Sequence, residues 1–175
     1  MQDILLISPN TVKKRGDITL NYDDMFLSSS IRTAQDIFLV DFLGKDLVDR
    51  LKELVEAKLN NEEDNIDSEN NIAYKTLLDE YVKEVLVYQV LIETAIRTSL
   101  KIRNLGVVKN KDTNADAADL KEIQYLLDNF RTSVNHWQNR TVDFLCENKE
   151  AIIENKFDCG CKPKIKFANT GLLLS

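Results

Sequence analysis

Two stretches of the chain repeat apolar residues in steps of three and four, which is the spacing of one helix face. The first stretch runs from Tyr74 to Ile102 and the second from Leu120 to Phe144. Steps that average about 3.5 residues place these side chains in a continuous seam along each helix. The seams therefore predict two long helices that fold back on each other as an antiparallel hairpin, joined by a polar linker over residues 104–116.

Two shorter helices are predicted before the long pair. Asn21 is placed to cap the first, apolar residues follow at helical spacing from Phe26 to Phe42, and Gly44 is placed to end it. The second helix runs from Asp46 to Leu59. Residues 60–71 are rich in acids and asparagines, which predicts a mobile surface loop before the first long helix.

These elements predict an all-α fold, an antiparallel helical bundle with two long helices, two shorter N-terminal helices and extended arms at both ends. Residues 1–21 form the predicted N-terminal arm, residues 22–150 the helical domain and residues 151–175 a C-terminal docking arm. The low content of helix breakers, 5 Gly and 2 Pro, favours this class. The first long helix is apolar nearly all round over Val85–Ile92, so it needs cover either within the domain or from a neighbouring subunit.

Both predicted arms contain residues suited to binding a partner, basic at one end of the chain and apolar at the other. The candidate contact residues are Lys13, Lys14, Arg15, Phe167, Leu172, Leu173 and Leu174. The basic cluster is either a solvated loop or a contact for nucleic acid or an acidic partner. Each leucine gains up to about 1.5–3 kcal/mol on burial, so we expect the C-terminal arm to dock onto its own domain or a partner.

The charge and hydropathy of the chain restrict its partners further. A net charge of −6 repels phosphate backbones, which argues against tight nucleic-acid binding but suits a channel that DNA passes without sticking. No apolar run approaches the roughly 20 residues of a membrane span, so no membrane partner is expected. The N-terminus lacks the basic and apolar regions of a signal peptide, which predicts a soluble protein made in a cytoplasm.

The histidine and the cysteines predict neither an active site nor a metal. His136 is the only histidine, and a histidine dyad or a di-iron bundle needs more than one such ligand. Cys159 and Cys161, with Cys146, supply three thiols, whereas a closed zinc site takes four ligands at wider spacing. We therefore expect reduced thiols and no bound cofactor.

Two pairs of acids leave an enzymatic alternative open. Glu53 with Glu56, and Glu80 with Glu84, are spaced as in helical nucleotide hydrolases, which hold magnesium between carboxylates of neighbouring helices. In a chain with 29 acids such pairs also arise on any solvated helix face. The expectation is therefore a protein that is not an enzyme, and a magnesium-dependent hydrolase is the alternative.

Five segments, in this order along the chain, resemble a known family. They are TAQDIF (33–38), DFLGKDL (41–47), YKTLLDEYV (74–82), KIRNLGVV (101–108) and DLKEIQYL (119–126). The ordered match spans about residues 20–150 and resembles the head–tail connector proteins of tailed bacteriophages, closest to those of crAss-like phages of Bacteroidota.

The resemblance implies a structural protein without catalytic residues. Such connectors form a ring, usually twelvefold, under the portal of a DNA-filled capsid, and the ring extends the DNA channel toward the tail. The implied partners are the portal protein, other copies of the chain, and the tail or next ring protein, while DNA passes without sequence-specific binding. The implied location is the head–tail junction of the virion, after synthesis in the host bacterial cytoplasm. A cytoplasmic helical interaction adaptor is the other alternative.

Overall fold

Helices dominate the computed structural model, which describes residues 4–16, 18, 21–103, 106–109 and 120–152. The helices are α1 (Pro9–Arg15), α2 (Asp24–Thr33), α3 (Val40–Leu43), α4 (Lys45–Leu59), α5 (Ile72–Thr76), α6 (Lys83–Ser99) and α7 (Leu120–Glu147). Two π-helical stretches, Ala34–Leu39 and Leu77–Val82, join α2 to α3 and α5 to α6 without a break. The predicted all-α class is confirmed. None of the described helices is long and apolar enough to cross a membrane.

The α6 helix lies at the centre of the described core. Leu86, Val87 and Val90 each expose 0% of their surface, and the helix contacts α1, α2 and α7. The cover that its apolar sequence requires is therefore supplied within the chain. The sequence allows cover of Val85–Ile92 either by the domain or by a neighbouring subunit. The structure shows cover by the domain, so this segment needs no neighbouring subunit.

The long helices pack side by side and run in opposite directions. Tyr81, just before α6, stacks on Phe144 near the end of α7, with ring centroids 4.6 Å apart. Tyr88, farther along α6, meets Phe130, which lies earlier in α7, at 6.5 Å. Because a later residue of one helix meets an earlier residue of the other, the pair is antiparallel, as the two seams predict.

A β-hairpin replaces the predicted last turn of the first long helix. Strands β1 (Leu100–Arg103) and β2 (Gly106–Lys109) pair antiparallel, with Leu100 opposite Lys109. The seam predicts a helix that continues to Ile102, but α6 ends at Ser99. Alternating apolar and basic residues in β1 and the adjacent valines of β2 favour strands, and this local preference prevails over the heptad seam. Residues 104–105 and 110–116 of the predicted linker lie outside the described residues.

The N-terminal residues 4–16 pack against the helices, which corrects the prediction of an extended arm. Gln35 fixes them: the Leu6 backbone N–H donates to Gln35 Oε1, and Gln35 Nε2 donates to the Ile4 carbonyl, both at 2.8 Å. The side chains of Ile4, Leu6 and Ile7 are buried in consequence. This apolar run therefore belongs to the core of the domain.

Asp23 and Gly44 set the ends of the first helical run. Asp23, and not the predicted Asn21, caps α2: its carboxylate accepts a hydrogen bond from the Met25 N–H at 2.8 Å. Gly44 separates α3 from α4 with φ 85° and ψ 150°, a conformation that is essentially restricted to glycine. The predicted helix end at Gly44 is confirmed.

Replacing Gly44 with alanine is expected to lower the free energy of unfolding by about 1–3 kcal/mol. A Cβ at this position has no atom within 4 Å, so the loss comes from backbone strain and not from a clash. Gly44→Asn should lose as much, because asparagine tolerates the left-handed helical region but not ψ near 150°. Urea denaturation followed by circular dichroism measures both losses, and unchanged stability of either variant would contradict the strain.

Candidate interaction surfaces

Two of the three residues in the predicted basic cluster form ion pairs within the chain. Lys13 is buried in α1, and its Nζ lies 2.6 Å from Asp24 Oδ1. Arg15 donates to the carboxylate of Glu84 at the start of α6. Through these ion pairs the predicted basic cluster attaches α1 to its neighbours. Lys14 and Arg15 are exposed, and a partner contact there stays a prediction.

The apolar contact residues of the C-terminal arm lie outside the described residues. They are Phe167, Leu172, Leu173 and Leu174.

Of the cysteines, Cys146 is disulfide-bonded, which corrects the expectation of reduced thiols. Cys159 and Cys161 also lie outside the described residues.

The acids that resemble a magnesium site do not converge. Glu84 accepts from Arg15, and Glu53 Oε2 lies 3.6 Å from a guanidinium nitrogen of Arg50. Across the part of the chain that the structure describes, no group of three His, Cys, Asp or Glu side chains is placed to hold a metal ion.

Residues 60–71, here called the acidic loop, are organised by the buried side chain of Asn71. Its Nδ2 lies 2.7 Å from Asp64 Oδ1, 2.9 Å from the Asn65 carbonyl oxygen and 2.8 Å from Ser68 Oγ. One amide group thus reaches three acceptors on three residues. Such a network fixes the backbone of the loop, in contrast to the mobile loop that its composition predicts.

Ile66 anchors the acidic loop to α4. Its side chain is 4% exposed, and its backbone N–H donates to the carbonyl of Leu54 at 3.1 Å. Ile66 is the one large apolar residue of the loop, and it enters the core formed by α4 and α5. The acids on either side of it are thereby held at the surface.

Asp67 joins the two helices that flank the acidic loop. Its carboxylate lies 2.6 Å from Lys58 Nζ at the end of α4 and 2.8 Å from Lys75 Nζ in α5. Hydrogen bonds from Lys58 and then Lys75 lower the pKa of Asp67 from 3.8 to about 2. The same pairing raises the pKa of Lys75.

The stability that Asp67 contributes is expected to disappear in acid. Its pKa is lower in the folded chain than in the unfolded one, so the contribution is complete above pH 3.8 and is lost as the pH falls toward about 2. The difference in unfolding free energy between the wild type and Asp67→Asn should be constant near neutral pH and shrink over that interval. Urea titrations at stepped pH measure this difference, and a difference independent of pH would contradict the pairing.

An open cavity of about 440 Å³, here called the loop cavity, lies beside the acidic loop. It is lined by Arg50, Glu63, Asp64, Ser68, Asn70, Asn71, Tyr74 and Ala151. The Arg50 guanidinium lies over the Tyr74 ring, 6.0 Å from its centroid, and one nitrogen is 3.8 Å from Asp64 Oδ2. Within the described chain, Glu63 and Glu69 have no cationic partner. The cavity therefore combines a guanidinium over a buried aromatic ring with the acidic side chains of Glu63 and Asp64.

A cluster of rings and a cation lies in the middle of α7, and we call Trp137, His136 and Arg140 the Trp137 surface. The Arg140 Cζ lies 5.5 Å from the Trp137 ring centroid, and the His136 ring meets Trp137 edge-on at 5.5 Å. Arg140 and His136 are exposed and Trp137 is half-buried. No carboxylate of the described residues pairs with Arg140. The heptad seam predicts Trp137 as a core residue, but the spacing of three residues to Arg140 is the signal for this surface.

Exposed apolar side chains occur at the beginning of α7. Tyr125 is 72% and Leu126 43% exposed, and Ile96 near the end of α6 is 40% exposed. The adjacent small core is formed by Ile92, Leu127 and other residues of the two helices. This end of the helix pair therefore leaves apolar area uncovered by the described chain.

Comparison with known proteins places the chain in one uncharacterised group. Residues 39–165, more than half of the chain, match DUF6712, a family of unknown function. No curated protein and no solved structure matches the chain.

Proposed function

The chain belongs to the family of unknown function DUF6712, and we propose that this member is a head–tail connector of a tailed bacteriophage. In this proposal the chain is a structural virion protein. It forms a ring under the portal, extends the DNA channel and joins the capsid to the tail. Its partners are the portal protein, other copies of itself, and the tail or next ring protein.

The exposed side of α7 is the observation that carries the proposal. This helix has 28 residues, which corresponds to about 42 Å at a rise of 1.5 Å per residue. Leu127, Val134 and Leu145 on one side are buried, whereas Tyr125 and Arg140 on the other side are exposed. A long helix that packs on the described core along one side and is exposed along the other is suited to line the wall of a channel or to contact a neighbouring subunit.

The order of the sequence segments and the charge of the chain support the same role. Segments from 33–38 to 119–126 occur in the order found in connectors of tailed phages. A net charge of −6 suits a channel lining, because each cation–phosphate contact that is avoided removes an attraction that slows DNA passage. Lys14 and the apolar C-terminal residues are the proposed contacts with the portal or a neighbouring subunit.

Quantitative mass spectrometry of purified virions tests the proposal. We expect the chain in virions at about the copy number of the portal protein, and its loss from tailless heads that lack the connector. Absence from virions would contradict the proposal and favour a cytoplasmic adaptor. Metal-dependent nucleotide hydrolysis that is lost in Glu53→Gln would contradict it in favour of an enzyme.

A further inference from the structure

We infer that copies of the chain associate by seating the Trp137 surface of one copy in the loop cavity of the next. The inference rests on the proposed function, because a ring requires such a contact between copies. It specifies the two surfaces that meet and the groups that recognise each other. The evidence comes from charge, from chemistry and from the positions of the two surfaces in the fold.

Charge favours this pairing over other contacts between copies. The net charge of −6 makes two copies repel each other, so association requires a local match of opposite charges. Arg140 has no carboxylate partner, and Glu63 and Glu69 have no cationic partner, in the part of the chain that the structure describes. These unpaired groups lie on different surfaces of one copy. They neutralise each other when the Trp137 surface of one copy reaches the acidic loop of another.

The chemistry of the loop cavity also fits the Trp137 surface. The cavity volume of about 440 Å³ lies within the range of about 300–1,000 Å³ that is typical of ligand pockets and admits an indole ring. The Arg50 guanidinium, which lies over the buried Tyr74 ring, can stack on the indole, and the carboxylate of Asp64 accepts hydrogen bonds from the indole N–H or from Arg140. Trp and Arg are the residues that most often dominate the energy of protein interfaces, particularly where they fill a pocket.

The positions of the two surfaces determine the kind of assembly. Ala151, which lines the loop cavity, follows the end of α7, whereas Trp137 lies in the middle of that helix. Each copy therefore presents one Trp137 surface and one loop cavity at separate places. Contacts between unlike surfaces link copies head to tail, and such a chain of copies closes into a ring when the rotation per copy permits.

The experiment uses the full chain and combines sedimentation velocity with tryptophan fluorescence over a concentration series. Trp137 is the only tryptophan, so its emission reports this surface alone. We expect association in low salt, accompanied by an emission shift to shorter wavelength as the indole leaves water, and weaker association at high salt. Arg140→Glu should weaken association at least about tenfold.

Variants that reverse the charge of single residues distinguish specific pairing of the two surfaces from repulsion between the net charges of two copies. Lys149→Glu is the matched control, because this exposed residue undergoes the same change of charge away from the Trp137 surface. The double variant Glu63→Lys/Glu69→Lys lowers the net negative charge, yet it should weaken association as Arg140→Glu does. Adding Arg140→Glu to that double variant should restore most of the affinity, because the opposite charges again face each other.

Three results would overturn the inference: no association at any concentration, association without an emission shift, or equal behaviour of Arg140→Glu and Lys149→Glu. Binding to the portal ring is measured separately on the same samples. Portal binding without these effects leaves the connector proposal and removes the inference. Association with these effects but without portal binding supports the inferred contact and contradicts the connector proposal.

Discussion

Replacing Gln35 with leucine is expected to lower the free energy of unfolding by about 2–5 kcal/mol. Gln35 is fully buried and forms hydrogen bonds to the Leu6 N–H and the Ile4 carbonyl at 2.8 Å. Leucine has a similar volume but no polar group, so the variant leaves one buried donor and one buried acceptor unpaired. Each unpaired group costs about 1–3 kcal/mol, and residues 4–7 should separate from the core before the helices unfold.

Urea denaturation measures the loss, and hydrogen exchange at the Leu6 amide tests its location. Gln124→Leu is the matched control, because Gln124 is exposed and its side chain bonds, among the described residues, only to the Asp128 side chain. The control should stay within about 0.5 kcal/mol of the wild type. Equal stability of the two leucine variants, or unchanged exchange at Leu6, would contradict the role of Gln35.

Replacing Ile66 with alanine is expected to lower the free energy of unfolding by about 2–4 kcal/mol. Ile66 is 4% exposed, so truncation removes its transfer energy and leaves a cavity between the acidic loop and α4. The hydrogen bond from its N–H to the Leu54 carbonyl should weaken as well, because the side chain no longer holds the backbone in place. The loop cavity depends on this anchor, so the self-association proposed above should decrease in parallel.

Ile72→Ala provides the control for the effect of Ile66→Ala. Ile72 begins α5 just beyond the acidic loop and is 60% exposed, so the same change there should cost no more than about 0.5 kcal/mol. Thermal or urea denaturation of the two variants compares them directly. A larger loss for Ile72→Ala than for Ile66→Ala would mean that the loop does not pack as described.

The helices follow from the sequence because their signals are local and repeated. Successive turns of α6 and of α7 repeat the same apolar spacing. Gly44 supplies a backbone conformation that other residues avoid. The antiparallel direction follows as well, since the short polar linker over residues 104–116 leaves two long helices few other arrangements. Burial of the α6 centre follows from the apolar composition of Val85–Ile92.

The hairpin, the packing of the N-terminal segment and the internal order of the acidic loop were not predicted, because each depends on a competing or distant contact. Leu100–Arg103 satisfies both a heptad and a strand pattern, and its pairing with Gly106–Lys109 decides between them. The packing of residues 4–7 depends on Gln35, about thirty positions away. The acidic loop has the composition of a solvated segment, but Asn71 and Ile66 connect it to the helices.

The candidate surfaces were only partly accessible from the sequence. The basic residues 13–15 form an obvious cluster, but the structure uses Lys13 and Arg15 for internal ion pairs. Trp137 fits the apolar seam of its helix, and this fit obscures the surface contact that its three-residue spacing to Arg140 indicates. The loop cavity brings α4, α5 and the end of α7 together, and no local pattern predicts it.

Native mass spectrometry of this protein mixed with the portal ring of the same phage tests the central claim most directly. The proposed function predicts capture of about one copy for each portal subunit, in a single complex of defined mass. A binding-deficient portal lacking its tail-facing end is the control for non-specific attachment. Portal rings that remain free at protein concentrations well above micromolar would contradict the proposal that this chain is a head–tail connector.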